Sequence, residues 1–248
     1  MTDQNPRKRV VLTGASGGMG QALCSILLQN HYHVLALGTQ DDKLKNLIKN
    51  MNSPYLSTLN IDFAETDFLY HFKTHLQKLK WSELYGLVNL AGISIGASFD
   101  ELTREDWLKT FQVNTTAPMQ LCQICIPMMR QYGKGSIVNV SSPVGVIGAR
   151  KASYASSKAA LHGLTMSIAR QEGPNQIRVN LLLPGPTLTY MTEGWSLEKQ
   201  AQIAQESFLK RLCTSEEVAH MICFMLSEEA SYLTGSVIDL TAGSMMSH

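Results

Sequence analysis

Val10-Val11-Leu12-Thr13-Gly14-Ala15-Ser16-Gly17-Gly18-Met19-Gly20 passes from a short apolar run into a glycine-rich turn, and Ala22, Leu23, Ile26 and Leu27 follow at helical spacing. An apolar run without alternation is the pattern of a strand buried on both faces of a parallel sheet. Glycines let the turn's backbone approach a ligand closely, while the free N–H groups and dipole of the following helix attract an anion. Strand, turn and helix start together make a phosphate cradle. The strand before and the amphipathic helix after separate it from a plain tight turn.

Working outward, strand-like runs recur at residues 33–37, 59–63, 84–90, 136–142, 176–183 and 233–240, with helical patterns between them. This alternation predicts an α/β fold: a doubly wound Rossmann-type parallel sheet with helices on both faces, as a single domain over residues 1–248. The 248 residues, 44% apolar and 17% charged, suffice for one sizeable core. A net charge of +1 gives no reason to expect a nucleic-acid or membrane partner. No stretch approaches the ~20 apolar residues of a membrane span. Met1-Thr2-Asp3-Gln4-Asn5-Pro6 lacks the apolar core of a signal peptide, so the expected location is cytoplasmic. Arg7-Lys8-Arg9, the one dense basic run, reads as the solvated start of the first strand. Of five cysteines (Cys24, Cys122, Cys125, Cys213, Cys223), Cys122 and Cys125 form a C-x-x-C. Its surroundings read as a buried helix face and no second ligand pair has metal spacing, so core packing is expected and no metal.

Chemistry enters with Ser153-Tyr154-Ala155-Ser156-Ser157-Lys158 at the start of an apolar-periodic segment. On a helix, i and i+4 share a face, so the Tyr154 hydroxyl and the Lys158 amine converge. A phenol is a poor acid or base near neutrality, and a neighbouring cation lowers its pKa towards the useful range. Alone, the pair reads as an ordinary surface helix. Its context is the glycine turn, then Asn114, then Ser141-Ser142 ending a strand-like run. In that order these residues resemble the short-chain dehydrogenase/reductase family, with its TGxxxGxG, Asn, Ser and YxxxK signatures, over residues 9–246.

The resemblance implies hydride transfer between a nicotinamide cofactor and a ketone or secondary alcohol. It makes Tyr154 the acid or base and Lys158 its partner and ribose ligand. Ser142 becomes the donor to the substrate oxygen, and Asn114 the holder of a relay water. Ser142 is chosen over Ser141 from the strand end and Gly145, although the loop to Tyr154 is one residue shorter than the family's. The cofactor would lie on Gly14, Ser16, Gly18, Met19 and Gly20, with Thr39 at the adenosine ribose and Asp62 and Phe63 at the adenine. Asn89, Ala91 and Gly92 would follow on the next turn, where Leu90 departs from the family's NNAG and should pack, not hydrogen-bond. Pro184, Gly185, Thr187 and Thr189 would border the nicotinamide, and residues 190–210 would form a substrate lid. Asp62 equally suits the cap of a helix beginning near Glu65, and Asn114 suits a local kink in a long helix.

At the end of the second strand, where an acid binds a ribose 2′-hydroxyl, stand Gly38 and Thr39. The missing carboxylate makes NADP(H) the preferred cofactor and NAD(H) the second choice. The usual arginine is absent too, which leaves Arg9 or Lys43 as helping cations. The C-terminal third is most similar to 3-oxoacyl-acyl-carrier-protein reductases, so a carrier-bound 3-oxoacyl thioester stands beside a free ketone or alcohol, with Arg130 a candidate carrier contact. The resemblance also implies a homodimer or homotetramer. The rival reading is a catalytically idle cofactor-binding regulatory protein of the same fold.

Overall fold

The structure, a computed structural model, describes residues 7–188 and 194–247. Its strands are β1 (Lys8–Thr13), β2 (Tyr32–Gly38), β3 (Leu56–Asn60), β4 (Gly86–Asn89), β5 (Gly135–Val140), β6 (Ile177–Pro184) and β7 (Val237–Leu240). All pair in parallel, in the order β3-β2-β1-β4-β5-β6-β7. The order reverses between β1 and β4, and the crevice beyond the carboxyl ends at such a switch point is where open α/β sheets bind ligands.

The helices are α1 (Gly18–Gln29), α2 (Asp41–Met51), α3 (Phe68–Lys78), α4 (Arg104–Phe111), α5 (Ala117–Tyr132), α6 (Val144–Ile147), α7 (Ala152–Glu172), α8 (Leu197–Glu206) and α9 (Ser215–Leu226). Successive strand residues serve opposite faces. Val10 and Leu12 of β1 pack with Leu23 and Leu27 of α1 and Ile222 of α9. Val11 packs with Phe72 of α3 and Leu121 and Cys125 of α5. Every one of these side chains is essentially inaccessible to solvent, as the unbroken apolar run required. Cys122 and Cys125 lie in the second cluster, and burial pushes the Cys122 thiol up to about 12.

Two boundaries differ from the sequence reading. α3 begins at Phe68, not near Glu65, because Phe68 and Phe72 are the residues that reach the core. Asp62 instead closes a turn, its Oδ1 accepting from the Ala64 N–H at 2.9 Å. The long segment around Asn114 splits into α4, a π turn at Gln112–Thr116, and α5. Such π turns are rare and concentrate at functional sites. Asp41 and Asp42 occupy the first turn of α2, where they favour the helix dipole, and Gln40 is the N-cap. Among the described residues no helix is long and apolar enough to cross a membrane.

Candidate active site

At the carboxyl end of β1 the chain enters the turn with Gly14 at φ +73°, a left-handed conformation that glycine adopts without penalty. Space forbids a side chain as well: a Cβ on Gly14 would stand 2.9 Å from the Ala91 nitrogen. A Cβ on Gly20 would come within 2.3 Å of the Gly14 oxygen, so α1 can start this close to the strand only on glycine. Thr13 ties the turn to its neighbour, since its Oγ1 accepts from the Leu90 and Ala91 N–H groups, both at 3.0 Å.

A cavity of about 450 Å³ opens here. It is lined by Gly14, Ser16, Gly18, Met19, Gly20, Thr39, Asp62, Phe63, Ala91 and Gly92, ten of the residues the sequence assigned to the cofactor. The wall also includes Gly17, Gln40, Ile61, Ala64, Ile93, Ile95, Lys109 and Val113, which the sequence reading did not assign to the cofactor. The Leu90 side chain is buried in the core, as its departure from the family pattern required. Asn89 does not line the cavity. It is buried in the sheet, where its Nδ2 donates to Asn139 Oδ1 at 2.8 Å. Lys43 lines the cavity, but Arg9 is excluded as a helping cation: it lies at the amino end of β1, its guanidinium 5.6 Å from the Trp81 ring.

Deeper along the same edge, α7 brings its amino-terminal turns against the ends of β4 and β5. Lys158 is buried, and its Nζ donates to the Val140 carbonyl at 2.8 Å. Burial lowers its pKa to about 8. A Cβ on Gly92 would lie 3.2 Å from that Nζ and 3.4 Å from Asn114 Oδ1, so glycine, lysine and asparagine meet at one point. Asn114 is fully engaged: its Oδ1 accepts from the Ile93 N–H, and its Nδ2 donates to the Ile93 carbonyl and to Ser157 Oγ. Ser157 Oγ in turn donates to the Tyr154 carbonyl at 2.8 Å. The π turn is thus stitched to the turn of helix that carries the phenol.

Ser142 stands beside Tyr154, near enough to act on the titration of the phenol. Burial raises its pKa, and the Ser142 contact opposes the rise. The Lys158 ammonium sits 5.9 Å from the ring centroid and donates one of its three N–H groups to Val140, so burial outweighs any lowering of the phenol by that charge. The two serines separate cleanly. Ser141 is buried, and its Oγ donates to the Lys158 carbonyl at 2.8 Å, whereas Ser142 is half-buried and faces the phenol. Gly145 fixes that register, because a Cβ there would meet the α7 backbone at Ala159 at 2.9 Å. Lys151, unremarked in the sequence, holds the loop after β4 over the site through the Ser94 carbonyl at 3.0 Å.

Pro184 and Gly185 end β6, the Gly185 N–H bonding the Leu240 carbonyl at 3.0 Å. Thr187 is buried, its Oγ1 donating to the Gly185 carbonyl, and Thr189 lies outside the described residues. Of the segment assigned as a lid, residues 190–193 also lie outside them, and the remainder forms α8 and the turn leading to α9. A carbonyl oxygen placed between the Ser142 and Tyr154 hydroxyls would meet two potential donors. A positive charge would stand behind them, against Gly92 of the cavity wall.

Likeness to known proteins runs through nearly the whole chain. A family profile described as "Enoyl-(Acyl carrier protein) reductase" matches residues 14–244. A 3-oxoacyl-[acyl-carrier-protein] reductase of Thermotoga maritima is 34% identical over 245 residues, 95% of this chain and 97% of the relative. An L-xylulose reductase of Caenorhabditis elegans is 31% identical over 248 residues, 95% of each chain. A solved 4-hydroxyisoleucine dehydrogenase, complexed with NADH, superposes with a TM-score of 0.89 at 28% identity, over 96% of this chain and 98% of that one.

Proposed function

The chain belongs to the short-chain dehydrogenase/reductase family, and from that premise we propose that it interconverts a ketone and a secondary alcohol, with NADP(H) preferred over NAD(H). The observation that carries the reading is the meeting of Tyr154, Ser142 and Lys158 beside the glycine-walled cavity. That cavity fits a dinucleotide: the cradle at Gly14 and Gly20 would be filled by any Cβ. The nicotinamide, when bound, supplies or accepts the hydride. Gly14, Ser16, Gly18, Met19 and Gly20 would hold the phosphates, and Asp62 and Phe63 would bound the adenine, all of them lining the cavity. Ser142 orients the carbonyl oxygen, Tyr154 gives it a proton, and Lys158 supports the developing phenolate. Asn114 acts by position: with its side chain committed, only its main chain is left to hold a water. Titration of cofactor fluorescence, followed by turnover across a panel of ketones, tests the reading. Binding without turnover would sink it.

The active serine has its own test. Ser142→Ala should lower turnover much more than Ser141→Ala, whose effect should fall on stability, by about 1 kcal/mol for the lost hydrogen bond. The reverse ranking in steady-state kinetics would move the role to Ser141.

Relatives acting on an acyl-carrier thioester, a sugar and an amino acid derivative leave the substrate open. Docking of an acidic carrier through Arg130 is not favoured. Its guanidinium is held in two-pronged fashion by buried Glu172, at 2.9 and 2.5 Å, and Asn175 bonds the same carboxylate. A free ketone or thioester is therefore the preferred substrate. A homodimer or homotetramer, implied by the family, would cover β7, whose Val237 is 45% exposed, and neighbouring Phe224 at 43%. A monomer in analytical ultracentrifugation would remove that expectation.

Cofactor choice rests on Gly38, where nothing repels a 2′-phosphate, and on Lys43 in the cavity wall. NADPH should bind more tightly than NADH, modestly, since no guanidinium grips the phosphate. A Cβ at position 38 would lie 2.9 Å from Ser16 Oγ and 3.2 Å from its nitrogen. Gly38→Asp alone should therefore weaken both cofactors, and Gly38→Asp with Ser16→Gly should invert the preference. Dissociation constants decide it. A wild type that binds NADH tenfold better, about 1.4 kcal/mol, would refute the assignment.

A further inference from the structure

The basic run at the start of β1 is not a solvated strand end. Arg7 stacks on Tyr55, its guanidinium 3.7 Å from the ring centroid, and Arg9 lies over Trp81. Arg7 directly precedes β1, its Nη1 donating to the Leu28 carbonyl at 3.4 Å, and it lines the same cavity as Arg9. Arg9 is also in direct register with His33 of β2, whose ring packs edge-on against Trp81 at 4.9 Å and Tyr55 at 5.8 Å. Three groups that carry or can carry positive charge therefore crowd one point, an arrangement that is destabilising where like charges face each other across strands. Among the described residues neither guanidinium forms an ion pair, and Arg7 Nε is buried without a hydrogen-bond partner. Between them opens a cavity of about 220 Å³ whose single carboxylate is Glu83. It lies at the amino ends of the strands, across the sheet from the glycine turn.

We propose that this cavity is a second anion site, which takes a phosphate or the phosphate group of a small monoester between Arg7, Arg9 and His33. Two planar guanidinium forks and an imidazolium offer more donors than a carboxylate can accept, and a tetrahedral dianion matches their charge. The aromatic walls exclude water from the guanidinium faces and hold the forks in place. Burial, then Arg9 and Arg7, now lower the His33 pKa. A dianion between those charges reverses the two electrostatic causes. The other titratable groups bordering the cavity, Tyr55, Glu83, Tyr85 and Tyr132, leave that sign unchanged. The inference stands apart from the proposed reaction and survives if that reaction is wrong.

The test follows the His33 imidazole resonances by NMR through a pH titration, with NADPH saturating so that the glycine turn is already filled. Inorganic phosphate and methyl phosphate are compared with chloride at equal ionic strength. Either phosphate should raise the His33 pKa by about one unit, saturably, while exposed His71 and His220 move little. Arg9→Gln and Arg7→Gln should each abolish the shift with NADPH affinity unchanged. The stronger of the two anions identifies free phosphate or a phosphate monoester as the ligand class. A His33 shift no larger than that of His71, or one that persists in both variants, overturns the proposal. Should one variant fail to fold, the other carries the test.

Discussion

Tyr154→Phe is expected to leave cofactor affinity nearly intact and to cut turnover by at least ~10²-fold, the usual scale for losing a general acid. The substitution keeps the half-buried ring and removes only the hydroxyl beside Ser142. Because burial raises the phenol's pKa, the group is protonated at neutral pH and suited to donating a proton to a carbonyl. Ketone reduction by the wild type should therefore hold steady through neutrality and fall only as pH rises through the phenol's pKa. Alcohol oxidation, which needs the phenolate, should climb with pH. Steady-state kinetics in both directions read this out. A Phe variant that reduced a good substrate at near wild-type rate would take the proton transfer away from Tyr154.

Lys158→Met should be at least as damaging to turnover, ~10²-fold or more, and should also weaken cofactor binding. It removes the buried cation next to Tyr154 while keeping the stem's volume. The same variant has a signature in stability. In the folded protein the Lys158 pKa is lowered to about 8 by burial, and in the unfolded chain it returns to the ordinary lysine value. Between those two values the unfolded state binds the extra proton, so wild-type stability gains as pH rises above 8. Below both values the whole cost of burying the ammonium is present. Denaturation midpoints from neutral to moderately alkaline pH should show that rise in the wild type and lose it in Lys158→Met. Parallel profiles would mean that the ammonium is not desolvated as the structure places it.

Much of this was legible because local chemistry and tertiary position coincide along β1. The apolar run, the glycine turn and the helix period each demand the same strand–turn–helix, and the cavity wall follows from them. The kink around Asn114 was legible in kind but not in place. Pro118 occupies the first turn of α5, where its missing N–H costs nothing, and the irregularity falls at Gln112–Thr116. The two serines could not be separated by spacing, since what commits Ser141 is a carbonyl on α7, seventeen residues away. Arg9 was misplaced for a simpler reason: roughly 13 Å of strand separates it from the turn it was asked to serve. The Lys158 side chain was judged by its distance to the phenol along the helix. Its nearest acceptor, the Val140 carbonyl, belongs to another element.

The central claim is hydride transfer to a carbonyl carbon, and isotope transfer tests it most directly. The protein is incubated with NADPH deuterated at the nicotinamide C4, on the pro-S and on the pro-R side in turn, and with the best ketone of the panel. Deuterium is expected at the carbinol carbon of the alcohol from one of the two cofactors only, at a rate that collapses in Tyr154→Phe. Cofactor that binds tightly yet delivers no deuterium to any ketone of the panel would contradict it.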